Sequence, residues 1–228
     1  MPIQDDDGPR NASRREMLKL VGVAGAAAVV PATELTRTAH AAEAKKSGVP
    51  AREALETLTA AQSDILEAIT ARLIPSDENG PGAAEARAAH YIDRALTGAL
   101  ASSRPAYTAG LAAVDAYALS AKGAPFAKLP ARDQDAVLTD MEKNVATGFQ
   151  PNSAAFFGLL RTHTIQGTFC DPYYGGNANF VGWDLIGYPG VRMAVTANDQ
   201  RMSAAPRPVR KSAYDDSMFA KRGGKHGH

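Results

Sequence analysis

The chain has 228 residues, with 25 Lys and Arg against 24 Asp and Glu, and a formal net charge of +1. That near-neutral balance gives nucleic acid no electrostatic footprint to bind, and the length suffices for one domain with a real core. A single cysteine, Cys170, excludes a CxxC redox centre or a cysteine-ligated metal cluster built by this chain alone.

The first 41 residues read as an export signal. Ser13-Arg14-Arg15-Glu16 precedes an uncharged apolar run from Leu20 to Val30, and Ala39-His40-Ala41 follows. A basic start, an apolar stretch and a small-x-small site are the parts of a secretory signal, and the paired arginines Arg14 and Arg15 specify the twin-arginine route. The run is about half of the ~20 residues that span a bilayer, which disfavours a signal anchor. Cleavage is expected after Ala41, with Ala39 and Ala41 as the small residues, and the working location is then periplasmic. In such an oxidising compartment a lone cysteine implies an intermolecular disulfide, a free thiol or a buried inert residue.

Residues 42–56 read as a linker and 57–196 as a helical domain. Leu58, Ala61, Ile65, Ile69 and Leu73 recur at helical spacing, Thr59 and Gln62 form a capping box, and Pro75 ends the segment. Ser76–Gly82 is dense in turn formers, with Asp77 and Glu78 in the turn. A second helix is predicted over Ala83–Leu100, with Ala88, Ile92, Ala95 and Leu96 inward. The third covers Pro105–Ala121 through Tyr107, Leu111, Val114 and Ala118. Phe126 and Leu129 anchor the next connector. Ala131–Val145 follows with Val137, Leu138 and Met141, then Ser153–Gly167 with Phe156, Phe157, Leu160 and Thr164. β-branched alternation is nearly absent, so the fold class is all-α, an irregular bundle of about five helices.

From Gly167 to Gly190 the character changes to a glycine- and aromatic-rich, non-helical segment holding Phe169, Tyr173, Tyr174, Phe180, Trp183 and Tyr188. It either packs back on the bundle or presents an aromatic surface to another protein. Residues 197–228 read as a flexible basic tail, whose Lys-His-Gly-His ending (His226, His228) is expected to be a compositional feature rather than a metal site.

Chemistry is scarce. GxGxxG after a strand, GxxxxGK, HExxH and GxSxG are all missing from the mature sequence. His163 and Cys170 could in principle pair as base and nucleophile, but no orienting third group or oxyanion site is evident. A histidine near a helix end more often bonds carbonyls or a neighbouring loop. Asp171 before Pro172 reads as a turn initiator, and Asp184 as structural. No catalytic, cofactor-binding or metal residue is assigned.

The stretch His163-Thr164-Ile165-Gln166-Gly167, then Cys170-Asp171-Pro172-Tyr173-Tyr174-Gly175-Gly176-Asn177, then Val181-Gly182-Trp183-Asp184-Leu185-Ile186-Gly187-Tyr188-Pro189-Gly190 resembles the gluconate 2-dehydrogenase subunit 3 family. Leu58-Thr59-Ala60, Ile74-Pro75-Ser76-Asp77 and Tyr91-Ile92-Asp93 agree with it, so the resemblance runs from about Leu58 to Gly190. It implies a non-catalytic small subunit of a periplasmic sugar or polyol dehydrogenase. FAD then sits in a large oxidoreductase partner, haem in a possible multihaem cytochrome subunit, and no cofactor in this chain. The small subunit aids maturation and twin-arginine export of the large one, and any membrane contact runs through partners. The implied partner surface comprises Phe169, Cys170, Tyr173, Tyr174, Trp183 and Tyr188. Cys170 departs from gluconate-type relatives, which often carry serine there, and resembles some glucose-type ones; beside a partner it implies an intersubunit disulfide. The alternatives left standing are a periplasmic thiol enzyme or hydrolase using Cys170 and His163, and a small-ligand binding module.

Overall fold

A computed structural model describes residues 54–203 and 208–219. The predicted signal, with Arg14, Arg15, Ala39 and Ala41, lies outside the described residues. Helices α1 (Ala60–Leu73), α2 (Ala88–Ala95), α3 (Arg104–Lys122), α4 (Ala131–Glu142), α5 (Ser153–Phe169) and the short α6 (Val181–Leu185) follow in order. The described residues contain no strand, only an isolated bridge between Asp77 and Gly80, so the chain is all-α as the missing alternation predicted. None of the described helices is long and apolar enough to cross a membrane.

Helix α5 is the hub, packing on α1, α2, α4 and α6. Its apolar face and those of α1, α3 and α4 enclose Leu66, Ile69, Ile92, Leu96, Leu111, Val114, Phe126, Val137, Met141 and Leu160, all fully buried. Burying side chains of this size supplies roughly 1.5–3 kcal/mol each before chain entropy is counted. Close approach needs small residues at crossings: a Cβ on Gly110 of α3 would run into the Phe156 ring of α5.

Several helix ends differ from the sequence reading for local reasons. Thr59 does form the capping box with Gln62, so α1 starts where expected. Ala61, expected inward, is exposed, and Ser63 and Leu66 are buried in its place. The second helix is much shorter than Ala83–Leu100. Arg87 adopts a left-handed backbone (φ 60), with Arg87 N bonded to Ala84 O and Ala88 N to Ala83 O, a Schellman closure that ends one turn before α2 begins. Asn144 (φ 59) closes α4 the same way three residues early, through Asn144 N to Met141 O and Val145 N to Asp140 O.

Before α1, the chain is clamped by Asp93 of α2, which is 1% exposed. Its carboxylate accepts from the amides of Glu56 (2.7 Å), Thr57 (3.0 Å) and Leu58 (2.7 Å). The domain's first residues are thereby pinned to α2 by charge-assisted bonds.

Candidate partner-binding groove

The last carbonyls of any helix lack intrahelical donors and must find others. At the end of α5 the glycine-rich segment provides them. Asn177 N donates to Gly167 O (2.8 Å), Asn177 Nδ2 to Cys170 O (2.8 Å), and Trp183 Nε1 to Phe169 O (2.9 Å). The Asn177 side-chain oxygen meanwhile accepts from Gly182 N (2.8 Å) and Trp183 N (3.4 Å) at the start of α6. Asn177 is fully buried and left-handed (φ 44), a conformation asparagine tolerates better than most residues. One side chain therefore knots the segment to the helix it follows. Glycine is needed at the knot: Cβ atoms on Gly176 and Gly182 would collide with the carbonyls of Gly167 and Thr168.

The Gly167–Gly190 segment thus packs on its own bundle and includes the short helix α6, which its glycine and proline content had excluded. Trp183, expected at a partner surface, is instead 6% exposed, wedged against Phe180 and Tyr188. Its ring is spent on the chain's own packing. Tyr188 remains 41% exposed with its edge against Trp183, at a centroid distance of 4.9 Å.

The other predicted surface residues converge. Phe169, Cys170, Tyr173 and Tyr174 line a groove of about 880 Å³ between α2 and the end of α5, together with Tyr91, Arg94, Ile165 and Gln166. Tyr173 and Tyr174 are 49% and 45% exposed, and Ile165 of α5 is 47% exposed. Asp171 initiates the turn as predicted: its side chain accepts from Tyr173 N (3.0 Å) and caps the turn Pro172–Tyr174. Arg94 approaches the same turn, 3.5 Å from Tyr173 O.

Cys170 is half-buried, and its thiol donates to Gly167 O at 3.6 Å. Burial pushes the thiol up to about 11, the reverse of what an activated thiolate requires. His163 does not serve a helix end. It is buried within α5, its Nδ1 3.0 Å from the Tyr107 hydroxyl of α3, and desolvation lowers its pKa. Each residue of the Cys/His pair is thus occupied by a structural contact. Among the described residues no group of three or more His, Cys, Asp or Glu could hold a metal ion.

Sequence reasoning missed α2's side of the groove, Tyr91 and Arg94, because helical periodicity ranks apolar residues and not the polar rim beside them. It also missed Asn177, although an asparagine directly after Gly175-Gly176 is the local signal for a left-handed turn.

Part of the stretch 197–228, read as a flexible tail, is described and makes specific contacts. Residues 208–219 lie against the glycine-rich segment: Ser212 Oγ donates to Asp171 Oδ1 (2.6 Å), Ala213 N to Asp171 Oδ2 (2.8 Å), and Val209 N to Pro189 O (2.8 Å). Tyr214 stacks on Tyr173 at 3.8 Å between centroids. A capping box at Ser212 and Asp215 orders this stretch locally, a polar signature that composition alone conceals.

In comparison with known proteins, the family model for gluconate 2-dehydrogenase subunit 3 matches residues 60–190, more than half of the chain. No curated protein and no solved structure matches.

Proposed function

The chain belongs to the gluconate 2-dehydrogenase subunit 3 family, and from that premise we propose that it is the non-catalytic small subunit of a periplasmic FAD-dependent sugar or sugar-acid dehydrogenase. It binds the flavoprotein subunit through the α2–α5 groove and takes it across the inner membrane by the twin-arginine route. FAD and substrate chemistry belong to the partner, and haem to a third, cytochrome subunit.

The observation carrying this reading is the groove itself. Tyr173, Tyr174 and Ile165 leave large apolar surface in water within the family-matched region, and clustered exposed aromatics beside a concave surface are characteristic of protein interfaces. The near-neutral charge agrees with a protein partner rather than nucleic acid. Cys170 lies in the groove wall, and the same reading makes it the residue that joins a partner cysteine in an intersubunit disulfide. The thiol-enzyme alternative has the weaker support, because burial disfavours the thiolate.

Co-production with the flavoprotein subunit tests the reading. Ile165→Asp combined with Tyr173→Ala should reduce co-purification at least roughly tenfold, since interface anchors are worth about 1–4 kcal/mol each. Unchanged co-purification, or sugar oxidation by the isolated chain, would overturn it. Cys170→Ser should remove a higher-mass band from non-reducing gels if the disulfide forms.

A further inference from the structure

The segment 208–219 lies outside the family-matched residues 60–190 yet covers part of the groove rim within them. Its hold is narrow. Two bonds end on Asp171, the Tyr214 ring lies on Tyr173, and the Tyr214 and Tyr174 hydroxyls are 2.6 Å apart. Val209 N to Pro189 O and the ion pair of Arg210 with Asp184 (2.5 Å) complete it. Ser212 alone of this segment is buried, while Met218 is 65% and Val209 39% exposed. A stretch with so little buried surface and so few contacts opens at low cost relative to global unfolding.

What it covers is the opposite of incidental. Tyr173 and Tyr174 are the two most exposed aromatics lining the groove, and Tyr214 occupies one face of the first and the hydroxyl of the second. We propose that residues 208–219 are a displaceable strap, with Tyr214 as an internal placeholder that occupies one face of Tyr173 and the Tyr174 hydroxyl until the flavoprotein subunit takes its place. On assembly, a partner aromatic or apolar side chain replaces the Tyr214 stack, and Asp171 releases Ser212 and Ala213. The partner half of this proposal rests on the groove reading above.

Two measurements on the full-length chain test it. The Ala213 amide donates to Asp171 Oδ2 at the latch, so deuterium labelling of that amide reports strap opening without any partner. Tyr214→Ala, and independently Ser212→Ala, should speed labelling by roughly tenfold, the change expected from losing one stack or one buried bond. Unaltered labelling in both variants overturns the latch. Association with the flavoprotein subunit should then be faster for Tyr214→Ala than for the wild type. Equal or weaker association overturns the placeholder role, a weaker one by making Tyr214 part of the interface. If Ile165→Asp with Tyr173→Ala leaves association intact, it is the groove reading that fails, while the labelling result still judges the strap.

Discussion

His163 and Tyr107 sit 56 positions apart in sequence and meet in the core, Nδ1 to hydroxyl at 3.0 Å. Because desolvation lowers the histidine pKa below its ordinary 6.5, the neutral ring is the folded form. The stability this contributes is present above pH 6.5 and is lost as pH falls through the lower folded value. Thermal melts should therefore show Tm declining below pH 6.5, and His163→Gln should flatten that decline. Tyr107→Phe leaves the ring nitrogen unpaired in the core and should cost about 1–3 kcal/mol, read from urea midpoints. Cys170 titrates in the other direction. With its thiol raised to about 11, the wild-type chain should lose stability as pH rises from the ordinary thiol range toward that value, and Cys170→Ser should lose less. At pH 8 it carries about a hundredfold less thiolate than an ordinary cysteine, so iodoacetamide should modify it correspondingly slowly. The sequence could mark both residues as poor catalysts, since no third group was in view. It could not reveal the Tyr107 contact, because nothing local records which helices face each other.

Helix faces were legible for a different reason. Spacings of three and four at Ile65, Ile69, Leu111, Val114, Val137, Leu138 and Met141 reflect burial on one side, and those residues are all core. Ends were legible only where a side chain writes them, as Thr59 and Gln62 do for α1. Arg87 and Asn144 end or interrupt helices through left-handed backbone, and arginine gives no local warning of that. The glycine-rich segment misled because glycine was read as a breaker, whereas here it permits contact. Gly182 opens α6 beneath the Thr168 carbonyl of α5, with no room for a Cβ. Gly182→Ala should force α6 away from α5 and break the Asn177 bonds, at a cost of about 3 kcal/mol. Its signature in hydrogen exchange should be local: lost protection at Gly182 and Trp183 with α1 and α3 unaffected. Equal loss in every helix would mean that α6 is part of the cooperative core rather than a lid on the end of α5.

At the scale of the molecule, the proposed export role separates two functions that one chain carries far apart in sequence. In that proposal Arg14 and Arg15 would address the route, while Ile165, Tyr173 and Tyr174 of the groove would hold the cargo. A twin-arginine pair is read by the translocase, and the groove residues lie elsewhere in the sequence, so the two can be altered independently. Replacing both arginines by lysine should leave the complex able to form but keep both subunits in the cytoplasm, where they co-purify. Ile165→Asp with Tyr173→Ala should do the reverse, sending the small subunit out alone and stranding the flavoprotein inside. Fractionation with immunodetection of each subunit distinguishes these patterns. If the flavoprotein reaches the periplasm in either background, it travels by its own means, and the chain is then a partner after export rather than its carrier. The asymmetry matters because a subunit that can leave without its cargo wastes the complex. Covering Tyr173 with Tyr214 until the flavoprotein arrives links the two functions, since a strapped chain and a loaded one present different surfaces. Tyr214→Ala in the wild-type signal background should accordingly raise the ratio of exported flavoprotein to exported small subunit when the flavoprotein is scarce. That ratio, measured across a range of flavoprotein expression, should converge with wild type once the partner is in excess.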